Sequence, residues 1–329
     1  MAQLPNAQEL AVYTLAIQHP ITRTWVPDVE RLRRLAENHE LDVLLAVDTD
    51  IAARRATRFA PHLPSEALLN RWVEVSDDLC AMMSIRFEGE DAEKPFVDST
   101  PLSRAVTHAD LSVLASVAQE SFARLRPRYL RLWSAESPGY FAECAPDKRF
   151  VAAKIEALSQ GSITVPSALA LRPASSVANY DHARHAYDAM RNLHPEHAGQ
   201  ASLQSEEDLR ESAESGMLFE VLIDGRWAGY VSAICNSDSL GLPGYVVQEL
   251  ILAPEHRGRG YGPHLTTLLA RSLPESESVL VGTIHANNRG AMQAALSAGR
   301  VDVGGWFQVA IPSTSTGSES LSRREIAPF

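Results

Sequence analysis

Along the second half of the chain, apolar residues recur in two alternating rhythms. Apolar runs bounded by Gly, Pro, Asn or Asp predict strands over 163–172, 218–223, 227–234, 245–252, 278–285 and 303–311. Between them, apolar positions three and four apart predict helices over 180–193, 263–272 and 289–298, and Ser205-Glu206-Glu207-Asp208 caps another short one. Asp224-Gly225 is a two-residue hairpin turn. The first half is less regular. Residues 29–40 read as an amphipathic helix running into a buried strand over 43–47, and 79–87 as a second strand. Thr107-His108-Ala109-Asp110 opens a helix that ends near Pro127, followed by a strand over 129–134. A helix-like stretch over 149–158 gives way at Gln160-Gly161-Ser162 to the strand-like 163–172, so a domain boundary is placed there.

The pattern is therefore mixed α and β, in three segments: an α+β domain over 1–160, a second domain over 161–312, and a tail over 313–329 whose Ser, Thr and Gly content predicts a flexible segment. The length of 329 residues agrees, being large for a single hydrophobic core. With 45% hydrophobic and 22% charged residues, wholesale disorder is excluded. Thirty basic against 41 acidic side chains, net −11, argue against nucleic acid as a partner, because phosphate backbones require a basic footprint. Apolar runs such as 246–253 are far shorter than the roughly 20 residues that span a bilayer, and the first residues lack a basic segment followed by an apolar core. A cytoplasmic protein without a membrane partner is the expectation. Cys80, Cys144 and Cys235 are odd in number and far apart, which suits buried thiols better than a disulfide framework.

Chemistry concentrates in one segment, Pro254-Glu255-His256-Arg257-Gly258-Arg259-Gly260-Tyr261-Gly262-Pro263, between a predicted strand and a predicted helix. Alternating glycines permit positive φ and leave no side chain in the way, so several N–H groups can point at one anion. The helix that follows adds its positive dipole end, and Pro263 suits a first turn, where its missing N–H would be unpaired. The spacing matches neither a dinucleotide fingerprint, which needs GxGxxG, nor a Walker loop, which needs Gly-Lys-Ser/Thr.

What remains, Arg257-x-x-Gly260-x-Gly262, resembles the R/Q-x-x-G-x-G/A signature of the GNAT superfamily of acyl-CoA-dependent N-acyltransferases. Glu249-Leu250-Ile251-Leu252-Ala253-Pro254-Glu255 before it resembles the family's fourth strand, and Asn288-x-x-Ala291…Gly299 after it resembles the second cofactor motif. The resemblance covers about 163–311. It implies a GNAT fold there, with a mixed, mostly antiparallel sheet flanked by helices, whose fourth and fifth strands splay apart. The N-terminal α+β domain has room for a degenerate copy, as in tandem acyltransferases, but nothing in it matches 257–262.

The resemblance also implies acetyl-CoA as acyl donor and a primary amine, on a small molecule or peptide, as acceptor. Backbone groups of Leu250, Ile251 and Leu252 would pair with the pantetheine arm. Arg257, Gly258, Arg259, Gly260, Tyr261, Gly262 and Pro263 would hold the pyrophosphate, and Asn288 would reach the pantetheine. No metal is expected. Glu249 is the candidate base, since an amine with a pKa of about 8–10 must lose a proton before attack. The alternative for Glu249 is a structural or solvent-facing carboxylate.

Two positions depart from the family. Ala295 stands where many relatives carry a tyrosine that protonates the leaving thiolate, and Arg300 replaces the usual aromatic after Gly299. Tyr261, His285 or water are substitutes for the missing acid, and the departure leaves open a second reading, a CoA-binding regulatory module without catalysis. His182, His185, His194 and His197, with Tyr180 and Tyr187, are candidate acceptor contacts rather than metal ligands, while His285 could equally be a strand histidine satisfied by its neighbours.

Overall fold

The computed structural model describes residues 3–193, 202–236, 239–274 and 278–312. The expected flexible tail and the candidates His194 and His197 lie outside the described residues. The first segment contributes helices α1 (Ala7–Ala16), α2 (Asp28–Val47) and α3 (Thr49–Phe59), strands β1 (Arg71–Ser76), β2 (Leu79–Phe87) and β3 (Pro95–Asp98), helix α4 (Leu111–Ser121), strands β4 (Tyr129–Ser134) and β5 (Ala145–Lys154), and helix α5 (Ile155–Gln160). The second contributes β6 (Leu169–Pro173), α6 (Tyr180–Leu193), α7 (Glu206–Glu214), β7 (Leu218–Ile223), β8 (Arg226–Asn236), β9 (Gly244–Leu252), α8 (Tyr261–Ser272), β10 (Val279–His285), α9 (Arg289–Ser297) and β11 (Val301–Ala310).

All the strands join one sheet of order β1-β2-β3-β4-β11-β5-β10-β9-β8-β7-β6, antiparallel except at β3/β4 and β9/β10. The order reads nearly the same from both ends. In each segment an antiparallel pair (β2/β3, β8/β9) is followed by a helix (α4, α8) and a strand parallel to the second member (β4, β10). The closing strands are exchanged: β5 lies between β10 and β11, and β11 between β4 and β5. The N-terminal segment thus has the plan of a second copy. The expected boundary at 160/161 falls at the end of α5, and the sheet runs across it.

The cores are shared in the same way. Phe307 and Val309 of β11 pack with Leu130, Phe141 and Leu114 of the first segment, while Ala153, Ile155 and Leu158 pack with Leu265 and Leu280 of the second. At the seam, Arg149 of β5 is fully buried and donates to Asp302 of β11 at 2.9–3.2 Å and to the Glu136 carbonyl at 2.7 Å.

Three element expectations are corrected. Residues 43–47 are the last turns of α2, not a strand, because no Gly or Pro interrupts the chain after 40 and Asp48 ends the helix by capping α3 through the Ile51 N–H. The helix-like 149–158 is mostly β5. Its Val151, Ala152 and Ala153 are all buried, so the strand lacks the alternation that marks a half-exposed one, and its alanines mimic helix composition. The strand expected over 163–172 is confined to β6, starting at Leu169. Among the described residues, no helix is long and apolar enough to cross a membrane.

Candidate functional site

Parallel pairing between β9 and β10 stops early: Gly244, Tyr245 and Val246 pair with Val279, Leu280 and Val281, and nothing beyond does. Gly244 is required at the base of this fork, since a Cβ there would lie 2.2 Å from the Val279 carbonyl oxygen. Just past the last pair, β9 bulges. Val247 and Glu249 lie opposite the adjacent Ala233 and Ser232 of β8, which leaves Gln248 as the extra residue. The fork opens a cleft along the far part of β9, as the splayed strands of the resemblance require.

At the open end of the cleft the chain turns through Pro254–His256 and two glycines, Gly258 (φ +70) and Gly260 (φ +80), into α8. Gly260 is the N-cap, so no side chain caps the helix, and a Cβ on either glycine would meet nothing within 4 Å. The uncapped N–H groups and the helix dipole therefore face open space, the arrangement that binds phosphate. Gly262 serves packing: its Cβ would come within 2.7 Å of Ala294, so its absence lets α8 approach α9.

Two cavities flank the fork. The larger, about 1070 Å³, is lined by Leu250, Ile251, Leu252, Arg257, Gly258, Gly260, Tyr261, Gly262, Pro263 and Asn288, which brings together every expected cofactor residue except Arg259. The smaller, about 540 Å³, lies deeper in the fork and includes Glu249, Tyr187, Thr266, His285, Ala295 and Arg300. Leu250, Gly262 and Asn288 line both. An elongated ligand with a phosphate end fits this arrangement. The Arg257 side chain does not point at the cradle. Its Nε donates to the Leu252 carbonyl at 2.8 Å and its Nη2 to the Ala186 carbonyl at 3.0 Å, tying the loop to β9 and α6. Asn288 caps α9, accepting the Ala291 N–H at 3.2 Å.

Glu249 is 3% exposed. Its Oε1 accepts the Tyr187 hydroxyl at 2.7 Å and the Leu250 N–H at 3.1 Å, while its Oε2 accepts the Gln204 N–H at 3.4 Å. Burial pushes its pKa up to about 6, and these three donors hold it from rising further. Tyr187, on the buried face of α6 with Ala183 and Ala186, is driven well above the usual phenol range by burial and by the adjacent carboxylate. Sequence reading named Tyr187 as an acceptor contact and missed its bond to Glu249. The buried stripe at 183, 186 and 187 would have placed it on the sheet side of its helix.

The other candidates are dispersed. His182 packs against the Trp227 ring at 5.5 Å, and the Tyr180 hydroxyl donates to the Gln204 carbonyl at 3.1 Å. His285 Nε2 stands 4.0 Å from Asp147, and its Nδ1 accepts the Asn287 N–H at 3.2 Å. Ala295 is buried at 4% exposure beside the smaller cavity. The corresponding turn before α4 is built differently. It has no glycine, and Asp110 fills the helix start by accepting the Thr107 N–H at 2.7 Å and both Arg104 Nη groups. Arg131 paired with Asp98 holds β4 to β3 where β9 and β10 diverge.

Residues 180–299 match the family model described as acetyltransferase (GNAT) family. Among solved structures, the chain is similar to an acetyltransferase from the GNAT family of Colwellia psychrerythraea, at 12% identity over 85% of this chain and 97% of that one, with a TM-score of 0.46. It is also similar to a GCN5-related N-acetyltransferase from Kribbella flavida, at 10% identity over 82% and 96%, with a TM-score of 0.41. A tandem GNAT protein from the clavulanic acid biosynthesis pathway is similar at 14% identity over 83% and 97%, with a TM-score of 0.38. No curated protein matches. Residues 180–299 form a domain of the GNAT acetyltransferase family.

Proposed function

We propose that this protein is an N-acyltransferase that moves an acyl group, acetyl in the simplest case, from acyl-CoA to a primary amine by direct attack. The observation that carries the reading is one strand, β9, that bears a buried carboxylate at Glu249, borders a cleft open on one side, and leads through a glycine turn to an uncapped helix start at Gly260. Bound acyl-CoA supplies a thioester carbonyl and a thiol leaving group. Pyrophosphate would lie against the N–H groups of Gly258 to Gly262, with Pro263 beside them in the first turn of α8 and the pantetheine along Leu250 to Leu252 and near Asn288. Arg257 keeps that loop in place.

Glu249, with a pKa of about 6, is mostly ionised at neutral pH and is matched to accepting a proton from an ammonium group, directly or through water. The free amine then attacks the carbonyl carbon; the C–N bond forms, the C–S bond breaks, and the electron pair leaves on sulfur. The amine's second proton goes to solvent or back through Glu249. A thiolate resembling that of cysteine, with a pKa of about 8.5, departs without a dedicated acid, which accommodates Ala295. Water, Tyr261 and His285 remain the available donors at this end of the cleft. The acceptor is a small-molecule or peptide amine, and we place the reaction in the cytoplasm.

The second reading, a CoA-binding regulatory module, rests on Ala295 alone. Thiol release from acetyl-CoA, measured across a panel of amines, amino acids and peptides, separates the two. The enzyme reading expects release that depends on at least one amine. Acyl-CoA binding by calorimetry without release from any thioester on any acceptor would replace it with the regulatory reading.

A further inference from the structure

Arg300 is 5% exposed, yet it is poorly satisfied. Among the described residues its one hydrogen bond, from Nη2 to Thr266 Oγ1, is 3.3 Å long, and its Nε has no partner. Among the described residues no carboxylate pairs with it. The other deeply buried arginines also leave one nitrogen unpartnered, Nη1 of Arg149 and Nε of Arg31, but are otherwise better held: Arg149 by Asp302 and a carbonyl, and Arg31 by Thr22, Gln18 and the Leu240 carbonyl. Burial pulls Arg300 down to about 10, so it stays charged at neutral pH. A buried charge without a partner is costly, and leucine or phenylalanine in this place would avoid that cost.

Its position says what would satisfy it. A Cβ on Gly282 would stand 2.7 Å from Arg300 Nη1 and 3.7 Å from Val247 Cβ. The guanidinium therefore sits at the apex of the fork, one residue past the last β9/β10 pair, in space that Gly282 leaves free. It borders the 540 Å³ cavity among Gly262, Thr266, Ala294 and Ala295, whose small side chains leave room for a ligand. Thr266 belongs to α8, on one side of the sheet, whereas Glu249 is held by Tyr187 of α6, on the other. An acceptor approaching Glu249 is repelled if it carries a carboxylate, but an acyl chain continuing past the thioester into the apex meets a cation.

We propose that the acyl donor carries a terminal carboxylate, as malonyl and succinyl thioesters do, and that Arg300 binds it. This rests on the acyl-CoA reading above and changes the donor class within it. A charge-assisted, two-point contact in a site shielded from water separates such donors from neutral ones by about tenfold or more in affinity.

Calorimetric titration of the full chain with CoA, malonyl-CoA, succinyl-CoA, propionyl-CoA and butyryl-CoA tests it without turnover. The wild type should bind the malonyl or the succinyl thioester at least about tenfold more tightly than its neutral counterpart. Arg300→Met should erase that difference while binding CoA itself as before, and Arg300→Lys should keep part of it. If Arg300→Met does not fold, the wild-type comparison decides alone. Equal or tighter binding of the neutral thioesters overturns the proposal while leaving the acyl-CoA reading intact, and so does a preference that persists in Arg300→Met. Absence of binding by CoA and by every thioester overturns both.

Discussion

Replacing Glu249 with glutamine should make the protein more stable at neutral pH and nearly inactive. In the folded chain the carboxyl has a pKa of about 6, against 4.5 for the free group, because it is buried. The fold therefore favours the neutral form. Its stabilising contribution is complete below about 4.5 and is lost as the pH rises through about 6. The difference corresponds to about 2 kcal/mol of stability that the wild type lacks at pH 7.5 and has at pH 4. Glutamine stays neutral throughout. Its carbonyl oxygen can keep the bonds from Tyr187 and the Leu250 N–H, and its amide meets only the longest contact, 3.4 Å from Gln204 N. Urea unfolding of both proteins at the two pH values isolates the effect, since all other titrating groups cancel in the difference. The variant should gain about 2 kcal/mol over wild type on going from pH 4 to 7.5. A difference that does not change with pH would show that Glu249 is not held above its free pKa. In the same variant, turnover should fall by about 10²–10⁴-fold and the acidic limb near pH 6 should vanish.

Other outcomes follow from single contacts. Tyr187→Phe removes a donor that holds the Glu249 pKa down, so the acidic limb of kcat/KM should move to higher pH; an unmoved limb would detach Glu249 from catalysis. Gly260→Leu forces a side chain into a φ of +80, costing about 1–2 kcal/mol, and fills the space before α8. Such a variant, shown to be folded by circular dichroism, should lose the rise in melting temperature that acetyl-CoA gives the wild type. Phe307→Ala should cost about 3–5 kcal/mol and still unfold in one transition at both ends of the sheet, because this β11 side chain is fully buried in the core of the first segment. Separate transitions for tryptophans 72 and 227, followed in single-tryptophan variants, would contradict a shared core.

The site was more legible than the architecture around it, for a physical reason. Glycines at 258 and 260 and an uncapped helix start are local requirements of phosphate binding, so the sequence spells them out in consecutive residues. The α6, β2, β4 and β7 limits were likewise set by local periodicity and by turns such as Asp224-Gly225. The exchanged strands were not readable, because β5 and β11 meet through residues such as Arg149 and Asp302 that lie 153 positions apart. A strand buried on both faces carries no alternation, so 149–158 passed for a helix. The bond between Tyr187 and Glu249 was hidden in the same way, its partners lying 62 positions apart.

The placement of β11 between β4 and β5 has a consequence for the order in which the protein can assemble. During synthesis the first segment emerges with a vacant slot in its sheet, flanked by two strands that are not paired with each other. The strand that closes it, Val301–Ala310, is made after every other element of the described residues. Until then β4 and β5 present unpaired edges, which are templates for pairing with other chains. Closure joins residues about 150–180 positions apart, a long-range step that slows folding. The nascent chain therefore depends on holding the slot clear until β11 arrives, and chains stopped before Val301 should aggregate through that opening rather than fold as a smaller protein.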